Sequence, residues 1–572
     1  MDRSHRLHQR RRNGIRDPVS PHRFRHARWV FGISMLVMGA CGIVYEYALG
    51  ALGNNLIGSS HEQIFVIIGI MMFSMGVGAA LQTTIRVNLI LTFLGLELAL
   101  GIVGGSSTLL IYLSYVYTTS YLFLTYVIAV IIGIGIGLEI PLIIRINADY
   151  AKDLRTNLSQ ILFMDYVGAL FGALLFTYVL LTTLSLGETA IVVGLANTAL
   201  AIFGIAYFWP LLGRARVWLL SVSVVWAGAL VVAIDRADGW VAKLEQRTFA
   251  DPIVHSETTR YQHLVMTRRG DDLRLYINGH LQFSARDEFI YHELLTHVPM
   301  MAARERRRVL ILGGGDGLAL REVLRYPETQ HVTLVDLDPA IIRMARTKPE
   351  LVTLNGGAFT DARVHTSLAG GISSGGREKV VRPSVLSRAY LTDKHYTLAE
   401  VDVLTIDADQ FVQHVDSKFD VVLIDLPDPK SIELAKLYSV GFYGALGKLL
   451  APGGVVAVQS TSPQRAKDVY LSIGLTLGRA GFQRLPYHDY LPSFGDWGWW
   501  LAWRHDEAPE AMRTRLAEQR GLQHELKYLT DDKLAAVFAF GRGQLEPRPG
   551  LLPNTKLQPV LIRYYRRGFE RS

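Results

Sequence analysis

Asp425 and Asp428 stand three apart in Asp425-Leu-Pro-Asp-Pro429, and the two prolines restrict the backbone around them. Paired carboxylates of this kind suit a polycation. One can hold an ammonium group while the other acts as a base, because a protonated amine must lose a proton before it can attack. Other acids recur at related places. Asp316 lies inside the loop Gly313-Gly-Gly-Asp-Gly317, Asp336 ends the next apolar run, and Asp407 follows the run that ends at Ile406.

The glycine loop (Gly313, Gly314, Gly315, Gly317) carries neither a clean G-x-G-x-x-G register nor the Lys-Ser/Thr of a phosphate-cradling loop. An acid inside it repels phosphate. A cationic or uncharged nucleoside fits better, and an S-adenosyl sulfonium meets the requirement: adenine, ribose, positive sulfur, no phosphate. Asp336 stands where an acid takes both hydroxyls of a ribose. Aspartate also favours turns and helix caps, so each acid alone has an ordinary reading. Acids at four successive strand ends point to a ligand crevice instead.

Positioning these groups requires a parallel sheet. Arg308–Leu312, His331–Asp336, Val401–Ile406, Phe419–Ile424 and Val455–Gln459 read as short buried strands, and Leu318–Arg325 opens a helix after the glycine loop. Strands alternating with helices predict a doubly wound sheet, whose ligands bind at the carboxyl ends of the strands. Ahead of it, His263–Met266 and Leu273–Ile277 alternate as β-strands with Asn278-Gly279 as a turn, so 250–299 is expected to hold a small antiparallel β domain. Asp287–His297 has helical spacing, with Phe289, Leu294 and Val298 on the apolar face.

The remaining chain has another character. Of 572 residues, 50% are hydrophobic and only 19% charged, too apolar for a wholly soluble or a disordered protein. The net charge of +8 is local: residues 1–29 hold nine arginines against Asp2 and Asp17, a net +7, which leaves +1 for the other 543 residues. The charge is therefore a tail flanking an apolar run, and it does not argue for nucleic acid. Apolar segments near 30–52, 64–82, 88–112, 121–144, 158–184, 189–209 and 217–234 are each long enough to cross a bilayer. Gly133, Gly135 and Gly137 would let helices approach closely. Glu46, Glu97, Glu139 and Asp165 lie within these spans, where acids are either functional or pair with interior polar groups. The tail and the loops around Arg145, Lys152 and Arg155 and around Arg214 and Arg216 read as cytoplasmic. Seven spans would then put the rest of the chain outside. The single cysteine, Cys41, excludes an intramolecular disulfide.

The motifs together resemble the polyamine aminopropyltransferases, the spermidine synthases, and in particular their multi-pass membrane subgroup. They run in order: Tyr261-Gln262, Gly279-His-Leu-Gln-Phe283, Asp287-Glu-Phe-Ile-Tyr-His-Glu293, Gly313–Gly317, Val335-Asp-Leu-Asp-Pro339, Asp407-Ala408, Asp425–Pro429, Leu437-Tyr-Ser439 and Pro452-Gly-Gly454. Gly42–Glu46, Gly137–Leu142, Asp165–Ala169 and Thr555–Tyr565 resemble the membrane subgroup. The resemblance implies transfer of the aminopropyl group of decarboxylated S-adenosylmethionine onto putrescine or a related diamine, giving spermidine and methylthioadenosine. It implies Asp425 as base and Asp428 as diamine ligand. Gln262, Tyr291 and His292 would line the amine pocket. Asp316 would meet the donor's aminopropyl ammonium, Asp336 the ribose, and Asp407 with Ala408 the adenine edge. It implies a Rossmann-like catalytic domain over 300–505 after a membrane domain over 30–235, no metal, no permanently bound cofactor, and an oligomer, since the family is often dimeric or tetrameric.

There are departures from the family pattern. Soluble members usually read D-S-x-D-P-x-G-P where this chain has Leu426, Pro427 and Lys430-Ser431-Ile432, as the membrane subgroup tends to. The ribose acid is usually Glu and here is Asp336. A tyrosine common before a late Pro-Ser is Leu491 here, beside Tyr490. Residues 366–400 look inserted, and 506–572 form a C-terminal extension. Two other functions compete: a methyltransferase of a small amine or lipid on the same fold, and a transporter whose soluble half senses polyamines. A cytosolic donor places the catalytic half in the cytoplasm, at the cell (inner) membrane, in conflict with seven spans and an internal tail.

Overall fold

The computed structural model describes residues 27–57, 62–86, 88–118, 120–148, 153–359, 364–366, 400–520 and 526–570. The arginine tail up to residue 26 and nearly all of the segment 366–400 lie outside the described residues. The chain divides into two compact units, one ending at Thr248 and the other running from Phe249 to the end.

The first unit is helical: α1 (Ala27–Ile57), α2 (Glu62–Leu81), α3 (Leu89–Tyr117), α4 (Tyr121–Asn147), α5 (Leu154–Leu175), α6 (Leu186–Tyr207) and α7 (Ala215–Gln246). Among the described residues, seven helices are long and apolar enough to cross a membrane. The last differs from expectation. Hydropathy ends near 234, yet α7 continues through Asp235–Gln246, because helical hydrogen bonding does not stop where the apolar pattern does. Glycines set the closest approaches, as expected of small residues. A methyl group at Gly133 would lie 2.9 Å from the Met71 carbonyl oxygen, and one at Gly135 2.6 Å from Leu100 Cδ2. One at Gly194 would lie 2.6 Å from Gly105 Cα. Arg145 donates to Gln82 O at 2.9 Å and Ile85 O at 3.1 Å, so its charge serves the carbonyls ending the neighbouring hairpin arm.

The intramembrane-type acids are unequal. Glu97 and Glu139 are almost wholly buried, while Glu46 and Asp165 are half-buried. The carboxyls of Glu97 and Glu139 face each other between α3 and α4. Among the described residues no backbone amide or other donor group reaches either Glu97 oxygen, which leaves the Glu139 carboxyl as its neighbour.

The second unit opens with the antiparallel sheet β1 (Ile253–Thr258), β2 (His263–Arg269), β3 (Asp272–Ile277), β4 (His280–Ser284) in sequential order. The β3–β4 turn uses Asn278 at φ 50° and Gly279 at φ 77°, the left-handed pair that such a hairpin needs. Helix α8 (Glu288–Ala302) follows, with Leu294 and Val298 fully buried, and Pro299 lies inside it.

Then come β5 (Arg308–Gly313), α9 (Leu318–Val323), β6 (His331–Asp336), α10 (Pro339–Thr347), β7 (Val364–Thr366), β8 (Glu400–Thr405), α11 (Ala408–His414), β9 (Phe419–Asp425), α12 (Val440–Leu446), β10 (Leu450–Gln459), α13 (Lys467–Arg479), β11 (Gln483–Leu491), β12 (Gly495–Trp503) and α14 (Val560–Glu570). These strands form one sheet in the order β11-β12-β10-β9-β5-β6-β8-β7. It is parallel from β7 to β10, and β12 and β11 add antiparallel at one edge. That edge was not foreseen, since Trp497, Trp499, Trp500 and Trp503 mark strands without showing their direction. The first strand, β5, lies between β6 and β9, so the topological switch point opens at the carboxyl ends of these three strands.

Candidate active site

Parallel register brings the acids together. Gly313 pairs with Asp425 across β5 and β9, so the glycine loop begins beside that carboxylate. A Cβ on Gly313 would collide with the Asp425 carbonyl oxygen, and its φ of 86° also excludes most side chains. On the other flank, Asp336 ends β6 and takes the amides of Gly315 and Asp338, each at 3.0 Å. A Cβ on Gly315 would lie 2.6 Å from Asp336 Oδ2. Asp316, in the loop between them, accepts from the Leu318 amide at 2.9 Å. The structure thus gathers Asp316, Asp336 and Asp425 around the start of α9.

Helix α8 supplies one wall. The Tyr291 hydroxyl donates to Asp425 Oδ1 at 2.7 Å, and its ring packs 5.5 Å from that of Trp499. His292 Nδ1 lies 2.9 Å from Glu288 Oε2, and Glu288 receives a two-pronged contact from Arg321 at 2.8 and 3.0 Å. The rest of the same motif is scaffold. Asp287 accepts from the amide and hydroxyl of Ser493, and Glu293 from the amides of Lys527, Tyr528 and Leu529.

Asp428 is held separately. Gln459 Nε2 donates to Oδ1 at 3.3 Å and Thr461 Oγ1 to Oδ2 at 3.2 Å. The loop carrying Asp425 and Asp428 is fixed by Tyr438, whose hydroxyl donates to Leu426 O at 3.0 Å, and by Gln459, which reaches the same carbonyl at 2.6 Å.

Three predicted residues are placed less directly. The Asp407 carboxylate caps α11 through the amides of Asp409 and Gln410 and pairs with Lys436 at 2.7 Å, which is the helix-cap role its residue type favours. Ala408 is the buried first residue of that helix. Gln262 lies in the β1–β2 turn, and its side chain makes no hydrogen bond among the described residues. That turn is tied to the crevice by Thr259, which donates to Asp338 Oδ2 at 2.7 Å. Tyr490 does not stand in for a tyrosine at 491. It is exposed and Leu491 is buried, because neighbours on a strand face opposite ways.

Burial pushes the Asp425 carboxyl up, and the charge of His292 and the Tyr291 hydrogen bond only partly pull it back. Burial likewise raises Asp316, with His292 opposing and Asp425 adding to the rise. Burial lifts Asp336 to about 6 against its two amides. His292 behaves oppositely: burial disfavours its charge, yet Glu288 holds it protonated up to about 9. Several acids that resist ionising together make a site short of positive charge, which a cationic ligand would supply.

The spermine/spermidine synthase domain model matches residues 288–374 and 379–514. Polyamine aminopropyltransferase 1 of Ralstonia nicotianae is 35% identical over 557 residues, covering 96% of each chain. Polyamine aminopropyltransferase 1 of Streptomyces coelicolor is 37% identical over 558 residues, again 96% of each. The chain belongs to the polyamine aminopropyltransferase family. As a member of that family it is a transferase, and its likeness to these aminopropyltransferases extends over the helical half as well as the sheet. A solved spermidine synthase in complex with the transition-state analogue AdoDATO is similar over 51% of this chain and 88% of its own, at 23% identity and a TM-score of 0.40.

Glu288, Gln459, Thr461 and Tyr565 were not singled out from sequence. Glu288 carried a usable signal, its i,i+4 spacing from His292 on a helix. Gln459 ends an expected strand and Tyr565 ends the Thr555–Tyr565 motif, but Thr461 has no local signature.

Proposed function

We propose that this aminopropyltransferase moves the aminopropyl group of decarboxylated S-adenosylmethionine onto putrescine or a related diamine, giving spermidine and methylthioadenosine. The Tyr291–Asp425 hydrogen bond at the switch point carries the reading, because it aims a raised, buried carboxylate into a crevice ringed by acids. Asp336 takes the ribose, Asp316 the donor's ammonium, and the fixed turn of Asp407 with Ala408 the adenine edge. Gln262, Tyr291 and His292 border the amine pocket. Asp428 holds the far ammonium of the acceptor. Asp425 accepts a proton from the near ammonium, and the freed nitrogen lone pair attacks the carbon bound to the sulfonium. The carbon–sulfur bond breaks with its electron pair going to sulfur, which leaves as a neutral thioether. Orientation and exclusion of water supply the rate.

The seven long apolar helices support a location in a membrane, and we assign the sheet half to the cytoplasmic side, where the donor is made. Seven spans then set the tail on the opposite face, against its arginine bias. A reporter fused to the C-terminus tests this, and an exported reporter would overturn it. The reaction is tested by incubating purified protein and putrescine with decarboxylated or ordinary S-adenosylmethionine and weighing the products. Aminopropyl transfer is expected, and methylation without it would overturn the proposal.

A further inference from the structure

The surroundings of Asp428 differ from those of Asp425 in one respect that bears on the acceptor. Close to Asp428 stands a positive charge. Lys430, two residues on, rests its ammonium on the Tyr565 ring, 5.3 Å from the centroid. Tyr565, on α14, turns its hydroxyl toward the Asp428 carboxylate, and Phe569 packs against it at 4.5 Å between ring centroids. Burial disfavours the Lys430 charge and the Asp428 carboxylate supports it. The remaining side of Asp428 is held by Gln459 and Thr461. Thr461 sits at φ 58°, a conformation costly for a β-branched residue, which brings its hydroxyl onto Oδ2.

We infer that Lys430, positioned by Tyr565, closes the far end of the acceptor pocket to a third ammonium, so that the protein accepts diamines and rejects the triamine it makes. This rests on the acceptor orientation proposed above, with the reacting amine at Asp425 and the far one at Asp428. A diamine ends at Asp428, where its charge is matched. A triamine carries a further ammonium outward into the neighbourhood of Lys430, where like charges repel in a partly desolvated space.

The test uses the full-length protein with decarboxylated S-adenosylmethionine and compares kcat/KM for putrescine and spermidine. Lys430→Met keeps the stem and removes the charge, and should raise the spermidine-to-putrescine ratio by at least roughly tenfold. Lys430→Arg should keep the rejection, and Tyr565→Leu should relax it in part. An unchanged ratio in an active Lys430→Met protein would overturn the inference. The unmodified protein supplies a second measurement: the analogue of spermidine with a methyl group in place of its outer ammonium has the same length without that charge. It should be used better than spermidine, and equal rejection of the two would show that length alone excludes them and overturn the inference. Transfer to neither putrescine nor any acceptor would instead overturn the underlying reading.

Discussion

Buried carboxyls occur in both halves of this molecule, and they are treated differently. In the sheet half, Asp336 takes two backbone amides, Asp316 one, Asp425 a phenol, and Asp428 an amide and a hydroxyl side chain. In the helical half, Glu97 is completely buried, takes no backbone amide among the described residues, and faces only the Glu139 carboxyl. For Asp336 and Asp316 the cause is backbone supply. Loops after strands carry unspent N–H groups that can aim a carboxylate, whereas a helix interior commits every N–H to a carbonyl one turn back. A strand-end acid can therefore be oriented by backbone, and a mid-helix acid only by another side chain.

The contrast can be broken at its strongest point first. Asp425→Asn should lower kcat by about 10²- to 10⁴-fold while donor affinity, read by calorimetry, persists. Asp428→Asn should raise the diamine KM by roughly tenfold or more with a smaller effect on kcat, since it removes a charge-assisted contact to the ground-state ammonium. Tyr291→Phe sharpens the electrostatic side. The phenol favours ionised Asp425, so its loss raises that pKa further, and activity should fall away at a higher pH on the acid limb of kcat/KM. Glu97→Gln should leave turnover unchanged, because the aimed acids all lie elsewhere. A dead Glu97→Gln protein that still binds donor would erase the contrast.

Much of this arrangement is legible in the chain. Strand β6 runs over His331–Asp336 as its apolar pattern predicts, the Asn278-Gly279 turn forms, and seven helices match seven apolar runs. These are local signals of period, turn chemistry and length. The acids at strand ends were legible for the same reason: once the strands are placed, their carboxyl ends follow. What could not be read depends on distance. The sequence leaves Asp407 open between ligand contact and helix cap, and only the fold brings Lys436 beside it; Lys430 has no meaning until a tyrosine 135 positions later arrives under its ammonium. The antiparallel pair β11–β12 was missed because strand direction is a property of the sheet, not of the tryptophans in it.

Thr461 has a consequence for anyone engineering this protein. Glycine would adopt its φ of 58° freely, relieving about 1–2 kcal/mol of left-handed strain. It would also cost about 1 kcal/mol of chain entropy. The two nearly cancel, so Thr461→Gly should melt close to the parent while gripping its acceptor less well, having lost the hydroxyl on Asp428. A screen that ranks variants by heat resistance would pass this substitution unnoticed, and only an acceptor titration would reveal what had been removed.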